Sequence, residues 1–448
     1  MKNILIFVVA ITSLSLNAQE SEIKYDSIIA IKDLKKDLDD WFSWIHETHP
    51  DLSHRIKNID AFYKNYDSIK DNIKESMTAL EFSRKISTLN KTLSDGHMAI
   101  GTSSVEYFYD FLDNGGVLFP FEVVFHKNNL LIKSDLGTTS PNKYTSYRIT
   151  KINKVKVETI LQDLLARISG DSETQQKAIL SRSFSRSFHY LYGEFKKFDI
   201  EYEVNGSKNI LNVNGVNKKP TYYKIDEHFN DNYKFEVIDK KNALLTVGSF
   251  YWKNREQYFS FMNDAFKTLK EKKIEHLIID IRENGGGDDE YWMDGILKYI
   301  ANKPYKWGSK YKVKILANSR DEGEVIGSVK TGNIDKFIPV NKTTPYKFNG
   351  NVSVLIGPFS YSSSILFANT VQDYKFGTLI GENTGGKSTQ TGGLQIMVLK
   401  NSKLKAYSPR FILERPNGAK NHEFVVPDKI INYNKINPKI LITKVLIK

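Results

Sequence analysis

From about residue 240 the chain alternates apolar strand candidates with amphipathic helix candidates, and this alternation restricts the fold more than any other feature. Ala243–Val247 reads as a strand. Gln257–Leu269 reads as a helix whose apolar side is Tyr258, Phe259, Phe261, Met262, Phe266 and Leu269. Ile274–Ile281 reads as a second, apolar strand with a glycine-rich loop directly after it. Val352–Ile356, Ser362–Tyr374 and Thr378–Ile380 repeat the pattern as strand, helix and strand. Strand–helix alternation implies a largely parallel sheet covered by helices, with ligands gathering at the C-terminal ends of the strands.

The upstream sequence has a different character. Leu34, Leu38, Trp41, Phe42 and Ile45 fall on one helical stripe that His49-Pro50 ends. Thr78 with Glu81 three positions on is a capping-box signature, and the helix it opens runs through Phe82, Ile86, Leu89 and Leu93 to Ser94-Asp95-Gly96-His97. Short β-like runs follow at 117–125, 130–132, 147–152, 198–204 and 210–213, with one helical pattern at 157–168. The expected organisation is a signal segment over residues 1–18, a helical segment over 19–115, a mostly-β module over 116–220 and an α/β core over 221–448.

The first residues and the charge limit where such a chain works. Lys2, an apolar run from Ile4 to Leu16 and the small residue Ala18 before Gln19 describe a secretory signal peptide, too short to span a bilayer comfortably. The expected product is an exported protein, periplasmic or secreted, without a membrane segment once the signal is removed. There is no cysteine, which excludes disulfides, thiolate metal sites and a cysteine nucleophile. The 64 basic and 52 acidic residues leave +12. Residues 400–448 hold eleven of the basic residues against three acids, spaced singly among apolar residues. That spacing describes a solvated basic face, not the clustered surface that nucleic acid requires.

Three loops stand where the sheet would gather a ligand. Asp280-Ile-Arg-Glu-Asn-Gly285-Gly286-Gly287 follows a buried strand and can present bare N–H groups. A serine cluster, Ser360 to Ser364, separates a strand from a helix. The positive end of the helix dipole there suits a nucleophile, and the next N–H can hold an oxyanion. Gly381-Glu-Asn-Thr-Gly-Gly-Lys387-Ser388 matches the phosphate-loop pattern, yet a strand-like Leu394–Leu399 follows where a helix is required, so no nucleotide is expected. A partly buried lysine can instead lose its charge and serve as a base toward a serine. Asp288-Asp289 reads as a solvated edge, and His46, His49 and His54 lack metal-site spacing, so no metal is expected.

Taken together these loops resemble the tail-specific, or C-terminal processing, serine peptidases, whose α/β core is of the ClpP/crotonase-like type and related to the tricorn protease core. Asp280–Gly287 resembles that family's D-L-R-x-N-G-G-G, Ser362-Ser-Ser-Ile-Leu-Phe-Ala its S-A-S-E-I-F-A, and Gly381–Lys387 its G-E-x-T-x-G-K. Arg148–Ile160 resembles the family's PDZ element, with Lys154 in place of the usual glycine, which makes the β module PDZ-like. Ile365 stands where the family has glutamate, and Gln390 falls three residues after Lys387 instead of four.

The resemblance implies a serine endopeptidase acting on polypeptides without a cofactor. Ser362 would be the nucleophile and Lys387 the preferred base, with oxyanion donors at Gly285 or Gly286 and at Ser363. Leu93-Ser-Asp-Gly-His97 resembles a segment whose histidine is the base in the tricorn-like branch, so His97, oriented by Glu423, is the alternative. The alternative of another class is a binding or scaffold protein with a relict site.

Overall fold

The computed structural model describes residues 27–102, 105–137, 143–224, 227–340, 343–432 and 439–446. The signal segment expected at 1–18 lies outside these residues. Among the described residues no helix is long and apolar enough to cross a membrane.

The expected parallel sheet is present, with strand order Tyr233–Val237, Asn242–Val247, His276–Asp280, Asn351–Ile356, Thr378–Gly381 and Lys429–Ile430. Only the first strand runs antiparallel to its neighbour. Alternate residues serve opposite faces, as the two-residue period of a strand requires. Leu245, Ile279, Val354 and Ile356 pack with Met262 and Phe266 of the helix Arg255–Glu271, and with Phe367 and Val371 of the helix Ser363–Tyr374. Leu244, Ile278, Leu355 and Ile380 face the other way, where Leu441 and Val445 of the helix Lys439–Leu446 cover them. The C-terminal segment, expected only as a solvated surface, therefore also supplies core; Thr443 and Lys444 face outward between its buried residues.

A second, antiparallel sheet is absent from the sequence-based expectation. Its strands are Val329–Asn333, Lys310–Lys314, Lys405–Leu413 and Gln390–Val398 in that order, and Ala99–Thr102 also pairs with Lys405–Leu413. This last pairing sets Ala99 opposite Tyr407 and so carries the end of the helical segment, including His97, onto the core. The apolar cluster of that segment, built on Leu34, Leu38, Trp41, Ile45, Phe82 and Ile86, is completed by Leu399, Leu404 and Ala406. The capping box forms: Glu81 N–H donates to Thr78 Oγ1 at 3.2 Å and Thr78 N–H to Glu81 Oε2 at 2.9 Å.

The β module is an antiparallel sheet of Phe121–His126, Asn129–Asp135, Arg148–Ile152, Lys197–Val204 and Ser207–Asn214, with Val155–Lys156 paired beside Arg148–Ile152. Two helices accompany it, Val157–Leu165 and Glu173–Tyr192, and the second is unanticipated. Serines and arginines interrupt its apolar stripe, yet Leu180, Phe184 and Phe188 join Phe119, Phe121 and Phe198 in one cluster. Ser172 caps its first turn by accepting from Gln175 N–H at 3.2 Å.

Candidate active site

Ser362 follows a rigid turn. Ser360 Oγ donates to Ile281 O at 2.8 Å and accepts from Gly357 N–H at 3.1 Å, which ties the turn to the end of the neighbouring strand. Ser362 then adopts φ 54° and ψ −125° as the cap of the helix Ser363–Tyr374. A non-glycine residue in that conformation is strained, a feature that concentrates at functional sites. The helix places its positive dipole end beside the Ser362 side chain.

The glycine loop packs against this turn. Tyr361 N–H donates to Asn284 O at 3.2 Å. The Asn284 side chain spans the loop, donating to Val247 O at 3.1 Å and accepting from Gly286 N–H at 2.8 Å. Gly286 N–H, one of the expected oxyanion donors, is thereby occupied. Among the described residues the N–H groups of Gly285 and Ser363 have no protein acceptor. Ser363 Oγ lies within hydrogen-bond distance of both Gly287 O, at 2.5 Å, and Asp289 Oδ1, at 2.7 Å. Asp289, expected on a solvated edge, thus fixes the first helical residue, and burial raises its pKa.

His97 completes the cluster. Its Nε2 lies 3.0 Å from Ser362 Oγ. Its Nδ1 lies 2.9 Å from Tyr361 OH and 3.1 Å from Thr391 Oγ1, and the ring stacks on that of Tyr361 with centroids 4.7 Å apart. His97 N–H donates to Asp95 Oδ1 at 2.8 Å, which sets the loop. Burial pushes the imidazole pKa down, against the charges of Asp95 and Asp171, which push it up. A histidine so placed is neutral near pH 7 and free to accept a proton.

Lys387, the base preferred from the sequence, is engaged elsewhere. Its Nζ pairs with Glu423 Oε1 at 3.1 Å, and its N–H donates to Asp171 Oδ2 at 2.8 Å. Gln390 donates to Lys387 O. Among the described residues no hydrogen bond joins Lys387 Nζ to Ser362. Glu423, expected as the orienter of His97, is 58% exposed at its side chain and partners Lys387 instead. The loop from Gly381 runs into the strand Gln390–Val398, not into the helix that a phosphate loop opens.

Behind His97 lies a set of buried charges that the sequence does not single out. Asp95, Asp171 and Arg55 are all buried. Arg55 Nε is 3.8 Å from Asp95 Oδ2, and its Nη2 is 3.6 Å from Asp171 Oδ2. His49 Nε2 is 3.9 Å from Asp95 Oδ2. Burial works to raise the Asp95 pKa, but His49, Arg55 and His97 hold it below the usual carboxylate range. Asp95 stands inside the Leu93–His97 motif, where it can be found. Asp171 has one local sign, the helix-capping Ser172 beside it.

Comparison with known proteins bears on the segment that carries Ser362. Residues 241–430 match the family model described as peptidase family S41. A stretch of 158 residues is 30% identical to the tail-specific protease of Haemophilus influenzae (strain ATCC 51907 / DSM 11121 / KW20 / Rd), covering 35% of this chain and 19% of that protein. The chain thus spans about a fifth of that relative's length. Mature CPAF superposes with a TM-score of 0.68 over 93% of this chain and 96% of its own, at 12% identity. Its complex with lactacystin gives 0.67 over 93% and 97%, at 11% identity. At such identities the likeness is one of fold, and it extends over nearly the whole chain. The α/β segment 241–430, which carries Ser362, the glycine loop and Lys387, is thus the part of the chain that is similar to peptidase family S41.

Proposed function

We propose that the chain is a serine endopeptidase of the tail-specific type that hydrolyses polypeptides with Ser362 as nucleophile and His97 as general base. The observation that carries this reading is the 3.0 Å contact of Ser362 Oγ with His97 Nε2 at the start of a helix. That distance is hydrogen-bond reach for a base and its nucleophile. His97 Nε2 takes the hydroxyl proton as Oγ attacks the peptide carbonyl carbon. The N–H groups of Gly285 and Ser363 receive the oxyanion, and the imidazolium returns the proton to the leaving amine. Water then cleaves the acyl-enzyme by the same route, and no cofactor takes part. Lys387, bound to Glu423, stiffens the loop and takes no proton.

The 116–220 module is read as PDZ-like on its Arg148–Ile152 strand, tight turn and Val157–Leu165 helix. Export to the periplasm or beyond is read from the apolar run near the N-terminus.

Turnover of an unstructured peptide tests the assignment. Ser362→Ala and His97→Ala should each lose about 10⁴–10⁶ in kcat, and Lys387→Ala less than about tenfold. Loss at Lys387 equal to that at Ser362, with His97→Ala active, would return the base to lysine.

A further inference from the structure

In a serine–histidine pair, the histidine needs a group on its far nitrogen that fixes the tautomer and steadies the positive charge formed during reaction. Among the described residues no carboxylate makes a hydrogen bond to that nitrogen. Asp95 Oδ1 is 3.9 Å from His97 Nδ1. Two hydroxyls lie closer. Thr391 Oγ1 is 3.1 Å from Nδ1 and donates to Asp95 Oδ1 at 2.8 Å. Tyr361 OH is 2.9 Å from Nδ1 and donates to Asp171 Oδ1 at 3.3 Å.

The proton count decides the direction of these bonds. An ionised carboxylate only accepts, so each hydroxyl spends its one proton on its aspartate. What each then offers to Nδ1 is a lone pair. Nδ1 must carry the hydrogen, and Nε2 keeps its lone pair for Ser362. We propose that Thr391 and Tyr361 are positioning residues that relay Asp95 and Asp171 to His97, so that two indirect carboxylates replace the single direct acid of a triad. The proposal rests on the Ser362–His97 reading.

The charges around His97 fit this role. Asp95 and Asp171 bring two negative charges, and Arg55 between them brings one positive charge. His49 faces Asp95, while Lys387 and Glu423 are paired with one another. His54 stays neutral, because burial and Arg55 push its pKa down to about 4. The charges of Asp95 and Asp171 favour the protonated form of His97, against burial and Arg55, which favour the neutral one. Burial keeps the Tyr361 phenol protonated, aided by Asp171 and Asp95.

Asp171 also connects distant parts of the chain. It precedes the cap of the helix Glu173–Tyr192 in the β module. Its carboxylate accepts from Gly96 N–H at 2.9 Å and from Lys387 N–H at 2.8 Å. Ser172 Oγ beside it donates to Gly385 O at 2.6 Å. One carboxylate of the module thus holds the backbone of the histidine loop, the lysine loop and the tyrosine next to the nucleophile.

The test is the pH dependence of peptide hydrolysis by the full chain carrying Thr391→Val, Thr391→Ser, Tyr361→Phe and Asp171→Asn. Thr391→Val should lower kcat by about 10–100-fold with little change in KM, and Thr391→Ser should restore most of it. Tyr361→Phe should lower kcat similarly. Asp171→Asn removes a charge that raises the His97 pKa, so the acidic limb of kcat/KM should move to lower pH as the plateau falls. A purely structural role would lower thermal stability and leave the limb in place. Wild-type kcat and an unmoved limb in Thr391→Val, Tyr361→Phe and their double variant, with His97→Ala inactive, would overturn the relay alone. An active His97→Ala would overturn the relay together with the reading beneath it.

Discussion

Gly286 sits at φ 113°, and a Cβ there would stand 2.6 Å from Ser362 Cβ and 3.0 Å from Tyr361 O. Both neighbours are held by the turn, so the added methyl must displace Ser362, the proposed nucleophile. Gly286→Ala should lower kcat by more than about 100-fold, since small misplacements of reacting groups carry penalties of that size. Steady-state hydrolysis with a matched thermal melt would check it. Ser362 and His97 can be picked out as candidates because each lies in a short contiguous motif. The engagement of Lys387 cannot be read that way. A lysine in a glycine loop is chemically able to be a base, and only the fold reveals that Glu423 already holds its ammonium. Tyr361 and Asp171 meet across 190 positions, a pairing that no local pattern announces.

Among the secondary-structure elements, local signals survive and long-range pairings are hidden. The Thr78–Glu81 capping box is a four-residue matter and forms as read. The helix Glu173–Tyr192 escapes the sequence because its apolar contacts are interrupted by Ser181, Ser183, Arg182 and Arg186. The antiparallel sheet escapes it because Lys310–Lys314 alternates lysines with Tyr311 and Val313 and has no apolar run. The hairpin at Asn153-Lys154 makes a sharper point. Both residues have positive φ, 48° and 69°, the geometry in which a tight turn favours Asn-Gly. Lys154 therefore bears left-handed strain, worth about 1 kcal/mol. Lys154→Gly should stabilise the fold by about that amount, read as a shift in urea midpoint at constant m-value. An unchanged midpoint would show that the turn is relaxed.

Over the whole molecule, the residues of the proposed site come from separate stretches of chain. His97 arrives with the helical segment through the Ala99–Thr102 strand, Ser362 and the glycine loop belong to the parallel sheet, and Asp171 arrives with the β module. The helical segment shares its apolar cluster with Leu399, Leu404 and Ala406, and the strand Lys405–Leu413 that carries Ala406 also receives Ala99–Thr102 just after His97. The parallel sheet is legible in the sequence because its strand–helix alternation is long and regular. The assembly of the site is not, because it depends on which strand edge receives Ala99–Thr102. The chemistry proposed for this assembly turns on His97, and not Lys387, taking the proton of Ser362. That step is read by the single-turnover rate at which an activated ester acylates Ser362, followed by mass spectrometry. Wild type and Lys387→Ala should acylate at rates within about tenfold, and His97→Ala should be slower by about 10³ or more. Rapid acylation of His97→Ala together with none of Lys387→Ala would assign the proton to lysine instead.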